Sequence, residues 1–442
     1  MTTSHEGTEE RVVGQVIGRL IPFIFLCYVV AYLDRVNIGF AAAHMQRDLR
    51  LSDEVYGFGA GLFFLGYFLF EIPSNLILER VGARRWIARI MFVWGLVSMA
   101  TLWVRDAPTF YALRILLGLA EAGFFPGMVL YLTYWIPARQ RARAGALFMT
   151  AAPVSMMIGA PVSEALLKLD GLAGLHGWQW LFLAEGFPAV VLGVLALFYL
   201  TDRPEKALWL AADDRDWLSR LIEREHAERS AHGSSLRHTL SGKVALLCLI
   251  YFLNTFATYG VFLFLPKMLR EASGFSGFSL SAITAIPFVA ALVGMVLIGR
   301  HSDRTGERKW HVAACALTGA LGLVLAAASR ESVPLIVLSF AISQVGQRAV
   351  QSVFWAIPPA FLGGTAAAAG IGLINAVGNL GGFVGPWAVG FLRHWSEGYT
   401  AGLILIAAVL VLQAVLVSSL RLASRVDEGL EPALVTDEAP AK

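Results

Sequence analysis

Twelve apolar stretches, each close to the length that crosses a bilayer, decide what this chain can become. They lie at 20–42, 55–78, 86–104, 109–135, 144–167, 178–200, 244–266, 279–299, 311–329, 334–358, 366–391 and 399–420. A helix rises 1.5 Å per residue, so about 20 residues cover the roughly 30 Å of hydrocarbon. Backbone N–H and C=O groups in lipid must be satisfied within the segment, which selects helices over open strands. Composition agrees: 57% of residues are hydrophobic and only 15% charged, a balance that excludes a soluble globular protein. The expected fold class is an all-α membrane protein with twelve transmembrane helices.

Basic residues set the expected orientation. With the N-terminus inside, 24 of the 35 Lys and Arg fall in inner segments, 8 in outer loops and three within the membrane. That excess predicts both termini in the cytoplasm and a multi-pass plasma (inner) membrane protein. The first 19 residues lack the basic-then-apolar pattern of a cleaved signal peptide. Cys27, Cys248 and Cys315 all sit in apolar stretches, odd in number and without metal spacing, and read as buried small hydrophobes. No metal or cofactor is expected. Neither a phosphate-binding glycine loop nor a nucleophile elbow is present, so an enzyme is not expected either. A nucleic acid partner is not expected; the partners are the lipid bilayer and a small solute.

Charge and polarity divide the chain into five parts: a cytoplasmic tail at 1–19, six spans at 20–200, a linker at 201–243, six more at 244–420, and a tail at 421–442. Within the linker, Trp209, Leu210, Trp217, Leu218, Leu221 and Ile222 recur at helical spacing, which predicts an amphipathic helix on the cytoplasmic surface. A Ser/Gly/His run, SAHGSS, follows it as a link. The two halves also repeat a loop motif. GRHSDRTGERK at 299–309 is echoed by NLILERVGARR at 75–85, with Asn75 and Glu79 in place of the leading Gly and Asp. Glu79, Arg80, Gly82 and Arg84, and likewise Asp303, Arg304, Gly306 and Arg308, are candidate gating residues that bridge helix ends and let go as the halves tilt.

Three arginines interrupt the spans: Arg35 after Asp34, Arg114 seven residues before Glu121, and Arg348 among glutamines. A cation at bilayer depth costs about 2.5–3.5 kcal/mol even on the lenient insertion scale. Such charges persist where they line a wet cavity, pair with a carboxylate or hold an anion, and the pattern points to transport of organic anions. By rise per residue, Asp34 lies roughly 9 Å and Arg114 roughly 8 Å below the outer boundary, so an ion pair between them is geometrically reasonable. Glu121 lies two turns deeper on Arg114's face.

Arg35 is the candidate for the substrate carboxylate, because guanidinium is a planar, permanently charged fork. Asp34 and Glu121 are candidate proton carriers, with Arg114 trading between them. Glu71 reads as a gate tie near the cytoplasmic end of the second span, and Glu185 as a tie between helices.

The motifs YLDRVNIGFA, GYFLFEIPSNLILERVGARRWIAR, LRILLGLAEAGFFPG, GWQWLFLAEGFPAVVLG and INAVGNLGGFVGP resemble the major facilitator superfamily and, within it, the anion:cation symporter family. The likeness runs from about residue 20 to 420. It implies two pseudo-symmetric six-helix bundles around a central cavity, alternating access and carriage of carboxylates coupled to protons, with sodium as the other candidate cation. It also implies the same roles for Asp34, Arg35, Arg114 and Glu121. That fold makes a complete pathway without a partner, so a monomer is expected to function.

The tenth span departs from the family pattern. Gln344, Gln347, Arg348, Gln351 and Trp355 are spaced by three or four, and most share one helical face. A second arginine opposite Arg35 would suit a dianion, and Trp355, Tyr32, Tyr67 and Phe354 could stack on a flat ring. The favoured substrate is thus a dicarboxylate such as a phthalate-like aromatic acid. Sugar acids or aromatic monocarboxylates, and an exchanger or exporter, are the alternatives. Asn375 and Asn379, one turn apart, are candidate substrate contacts; Asn254, Thr255 and Tyr259 are candidate lining or gating groups.

Overall fold

The helix that opens the chain runs far past the membrane boundary expected for it: α1 is continuous over Thr2–Leu49. In the computed structural model, residues 2–231, 242–329, 332–358, 364–396 and 398–420 are described. Those residues form helices and no strands. The first half continues with α2 (Asp53–Val81), α3 (Ala83–Ala100), α4 (Ala107–Glu121), α5 (Phe124–Thr133), α6 (Ala138–Met149), α7 (Ala151–Leu167) and α8 (Gly177–Tyr199). The linker carries α9 (Ala212–Ala231). The second half is α10 (Gly242–Phe262), α11 (Leu265–Ser273), α12 (Gly277–Thr305), α13 (Lys309–Ala328), α14 (Val333–Phe354), α15 (Gly364–Asn379), α16 (Gly381–Trp395) and α17 (Thr400–Ser419).

Eleven of the predicted spans are long and apolar enough to cross a membrane. The remaining one, the eleventh in chain order, is carried by α15 and α16, which meet at Leu380, a residue that keeps helical dihedrals. The fourth span is broken, directly after Glu121. Gly123 adopts φ +85°, and a Cβ there would run into the Ser74 hydroxyl, so the turn needs glycine. The break leaves the Glu121 carboxylate at the C-terminal end of α4, where the helix dipole disfavours an anion and a cation is wanted nearby.

The two copies of the loop motif share a positive φ at their glycine but not the same ψ, which is 144° at Gly82 and −5° at Gly306. Gly82, between α2 and α3, and Gly306, between α12 and α13, both take positive φ, +98° and +71°. Their neighbours bond within their own halves. Arg84 meets Asp202 through its backbone N–H at 2.9 Å and its Nε at 3.9 Å, and Arg308 Nη1 donates to Ser302 Oγ at 3.0 Å. Glu79, Arg80 and Arg304 are exposed; the Asp303 side chain lies outside the described residues.

The linker helix forms as its pattern predicts. Leu210, Leu218 and Ile222 are buried, Trp209 stacks on Trp135 at 5.5 Å, and Trp217 packs against the first-half core. Arg11 of α1 grips Asp214 of α9 through two bonds of 2.7 Å, so the N-terminal segment and the linker are fastened together. Most of the SAHGSS link and the 421–442 tail lie outside the described residues.

The halves meet along α2 against α16 and α7 against α12. At the end away from the termini, Asp53 joins them. Its carboxylate takes Gln46 Nε2 at 2.8 Å and pairs with Lys267 and, at 3.7 Å, with Arg393 of the second half. Arg393 in turn meets Glu271 at 3.4 Å.

Candidate functional site

One face of α2 organises the first-half site. Phe63, Tyr67 and Glu71 follow at intervals of four and therefore project in nearly one direction. Against that stripe lies Arg35 of α1, whose guanidinium is 5.4 Å from the Phe63 ring, 5.4 Å from Tyr67 and 5.7 Å from Tyr32. Its charge is answered by Glu121, with which it forms a buried ion pair. Arg35 keeps 14% of its side-chain surface and Glu121 only 1%. A desolvated pair of this kind is strongly coupled, since removing either partner strands the other in low dielectric. Glu121 Oε2 and Arg35 Nε have no hydrogen-bond partner, so the pair has unused capacity for a third group.

The matching depths of Asp34 and Arg114 do not become an ion pair. Asp34, 1% exposed, accepts from Ser98 Oγ and from Asn37 Nδ2 at 3.2 Å, both on Oδ1. Arg114 turns its fork to the Ala60 carbonyl, 3.2 Å away, and packs over Phe63 at 5.1 Å. Short neutral donors therefore hold one oxygen of the aspartate while its Oδ2 has no hydrogen-bond partner, and the Phe63 ring has a guanidinium against it from each arginine. Arg114 bonds neither Asp34 nor Glu121 here, so its expected exchange between them is not seen in this conformation. Asn37 could have been read from its position three residues after Asp34. Ser98 could not, because only tertiary packing brings α3 to α1.

In the second half the predicted face of α14 separates. Arg348 Nη1 reaches Gln351 Oε1 at 3.4 Å, while its Nε and Nη2 have no partner. Gln344 is fully buried with both ends of its amide unpartnered. Gln347 instead donates to Ser343 Oγ of its own helix at 2.8 Å and packs beside Gly319 of α13. Trp355 meets Tyr251 edge-on at 4.8 Å, and Phe354 stacks on Tyr251 at 5.3 Å. Those rings are thus occupied with one another.

Tyr259 of α10 lies within electrostatic reach of both Arg35 and Arg348, and packs on Phe64 at 4.3 Å. It marks the space between the two cations. Thr255 bonds the Gly378 carbonyl and serves helix packing. Asn254 is buried with its Oδ1 free.

Asn375 and Asn379 are tied to a residue that sequence reading had assigned to the gate. Asn375 Nδ2 donates to Glu71 Oε1 at 2.7 Å across the halves, and Asn379 lies beside the same carboxylate. Glu71 also feels the Arg35 charge, so it belongs to the central cluster. Glu185 does tie helices, accepting from Ser163 Oγ at 3.2 Å. The described residues contain no cluster of His, Cys, Asp and Glu that could hold a metal.

Known proteins resemble this chain in sequence and in fold. The Major Facilitator Superfamily matches residues 24–386 and 247–440. A protein of Agrobacterium vitis named as a tartrate transporter is 49% identical over 409 residues, covering 92% of this chain and 91% of its own. A quinolone resistance transporter of Acinetobacter baumannii is 40% identical over 414 residues, covering 92% and 94%. Among solved structures, an inward-facing, occupied bacterial homologue of the human lysosomal transporter Spinster superposes with a TM-score of 0.74 at 16% identity, covering 90% of this chain and 95% of that one. Twelve spans in the superfamily's order, the repeated loop and these matches lead to one conclusion: the chain belongs to the major facilitator superfamily of membrane transporters.

Proposed function

We propose that this protein imports an organic dicarboxylate by alternating access coupled to protons, and that the substrate carboxylate and the Glu121 carboxylate compete for Arg35, with the proton deciding between them. The buried ion pair carries the reading. While Glu121 is ionised it occupies the Arg35 fork. When Glu121 takes a proton its hold weakens, and a substrate carboxylate can replace it with a charge-assisted bond. Proton and anion then enter together with little net charge added to the low-dielectric site. Asp34, held by neutral donors, is the second candidate proton carrier.

Arg348 supports a second carboxylate. Its guanidinium stands in the other half, shares Tyr259 with Arg35, and lacks a carboxylate partner among the described residues. The tartrate named for the Agrobacterium vitis relative is a dicarboxylate, which agrees with two cationic anchors. A flat aromatic diacid is the other dicarboxylate that Tyr32 and Tyr67 could accommodate. Sodium in place of the proton is the alternative coupling. The excess of Lys and Arg near the termini supports placing that end in the cytoplasm of an inner membrane. Export is the second reading, supported by the quinolone resistance relative.

The test is thermal stabilisation of the purified protein by tartrate, phthalate, succinate, galactonate and benzoate, repeated in Arg348→Gln. A ligand at 100 times its Kd stabilises by about 2.7 kcal/mol. Dicarboxylates should stabilise selectively and lose that effect in the variant. A shift with monocarboxylates alone would remove the two-arginine reading. Uptake into right-side-out and inverted vesicles under an imposed pH gradient separates import from export.

A further inference from the structure

We propose that the Glu71–Asn375 hydrogen bond is a specific gate, fastening the two halves on the terminus-bearing side of the charged site and opening to let the anion out toward that face. The inference deepens the transport reading above, because it assigns the bond that closes the same site.

Position is the first argument. Arg35 lies 14 residues before the end of α1 at Leu49, or about 21 Å from the end of the molecule away from the termini. Glu71 lies 18 residues into α2 from Asp53 at that same end, or about 27 Å along. Glu71 therefore sits roughly one helical turn beyond Arg35 toward the termini. Asn375 comes from α15, in the opposite half. The bond spans the seam at the level where a solute bound to Arg35 would have to leave.

Chemistry is the second. Glu71 is 2% exposed, its Oε1 accepts from Asn375 at 2.7 Å, and its Oε2 has no partner. Buried polar atoms are usually satisfied, and an unsatisfied one marks a group with a second arrangement or a missing partner. Charge-assisted bonds such as this one are stronger than neutral ones, yet a bond from Asn375, with Asn379 of the same helix beside the carboxylate, can be exchanged for water when the seam widens. Glu71 shares a face of α2 with Tyr67, which packs on Arg35, so a change at the anion site reaches the gate through one helical turn. The third argument is packing: α15, which carries Asn375, lies directly against α2, which carries Glu71. Opposite closure is supplied independently by Asp53, Lys267 and Arg393, about 27 Å away along α2.

The experiment is a distance measurement between spin labels on Val81→Cys and Thr305→Cys, at the terminus-bearing ends of α2 and α12, with Cys27, Cys248 and Cys315 replaced by alanine. The full-length protein is used in nanodiscs without ligand. Glu71→Ala and Asn375→Ala should each raise the ratio of long to short distances about tenfold, the order expected for losing a bond to a charged group. The double variant should do no more than either single one. Glu71→Gln keeps an acceptor for Asn375 and should stay nearer the parent protein. Unchanged distances in both alanine variants, or an equal opening in Glu71→Gln, would overturn the gate. Should Glu71→Ala fail to fold, Asn375→Ala carries the same test. Because no ligand is present, failure of every acid to stabilise the protein would remove the anion reading and leave the gate result legible.

Discussion

Two arginines buried at similar levels in the two halves are treated in opposite ways. Arg35 is paired with Glu121 and ringed by Tyr32, Phe63 and Tyr67. Arg348 has a single 3.4 Å contact with a neutral amide on its own helix, and two of its nitrogens have no partner. The first cation is neutralised by the protein itself; the second is held available. A carrier that must bind a proton and an anion together needs the first kind of site, and one that recognises a second carboxylate needs the other kind.

The largest effect should come from breaking the first site. Removing one member of a buried ion pair costs about 3–5 kcal/mol, because the other is left as a desolvated charge. Arg35→Gln should therefore lower the Tm markedly and reduce uptake to background. Arg35→Gln with Glu121→Gln should recover most of the stability but none of the transport, as unfolding and uptake assays on the same preparations would show. Equal stability of the single and double variants would mean that the two side chains are not energetically coupled. Glu121→Gln alone should abolish accumulation against a gradient while sparing exchange. Full concentrative uptake by that variant would remove Glu121 from the coupling step.

Arg348→Gln should behave the other way. With no carboxylate to strand, the loss of its charge should leave the Tm unchanged or higher, while dicarboxylate affinity falls about tenfold or more, read by titration. A large drop in Tm with affinity intact would make Arg348 a tie between helices and erase the contrast with Arg35.

What the sequence could reveal follows from the range of each interaction. Spans, the linker helix and the repeated loops depend on periodicity and local turn chemistry. Hence α9 buries the Leu218 and Ile222 face that its spacing predicts, with Leu210 buried just before its start, and Gly82 and Gly306 share a positive φ. Membrane arginines are legible because their insertion penalty demands a reason. Their partners are less so. Equal depth made Asp34 and Arg114 plausible partners, but depth is one coordinate of three, and rotation about α1 gives Asp34 to Ser98 and Asn37. Glu71 is the clearest lesson. Its place along α2 suggests a gate tie but not the partner, which only the packing of α2 against α15 supplies: Asn375, at the edge of the central cluster. Gln347 shows the same limit from the other side, since one step of 60° around α14 takes it from the expected face to the α13 interface.

Smaller effects should follow at the two ends of the molecule. Asp53 is part-buried and joins the halves through Lys267 and Arg393, so Asp53→Asn should widen the end away from the termini. Pairs of this exposure contribute modestly, and a shift of about threefold in the open fraction is expected from spin labels on Arg47→Cys and Arg270→Cys. No shift would assign closure of that end to helix packing alone.

The smallest effect belongs to the contact between Arg11 and Asp214. Hydrogen bonds from Arg11 hold the Asp214 carboxyl below its ordinary value of 3.8. A carboxyl depressed in the folded state adds stability above its unfolded pKa and loses it as the pH falls through the lower, folded one. Docking of α9 on α1 should thus be constant from neutral pH to about pH 4 and loosen only below it, with high salt weakening it at any pH. Asp214→Asn should reproduce the loosened state at pH 7, seen as faster amide exchange along α9 with exchange in α4 and α14 unchanged. Because Leu218 and Ile222 remain buried against the first half, the helix should stay attached in that variant. Release of α9 by this one substitution would mean that the ion pair, rather than the apolar face, holds the linker to the membrane domain.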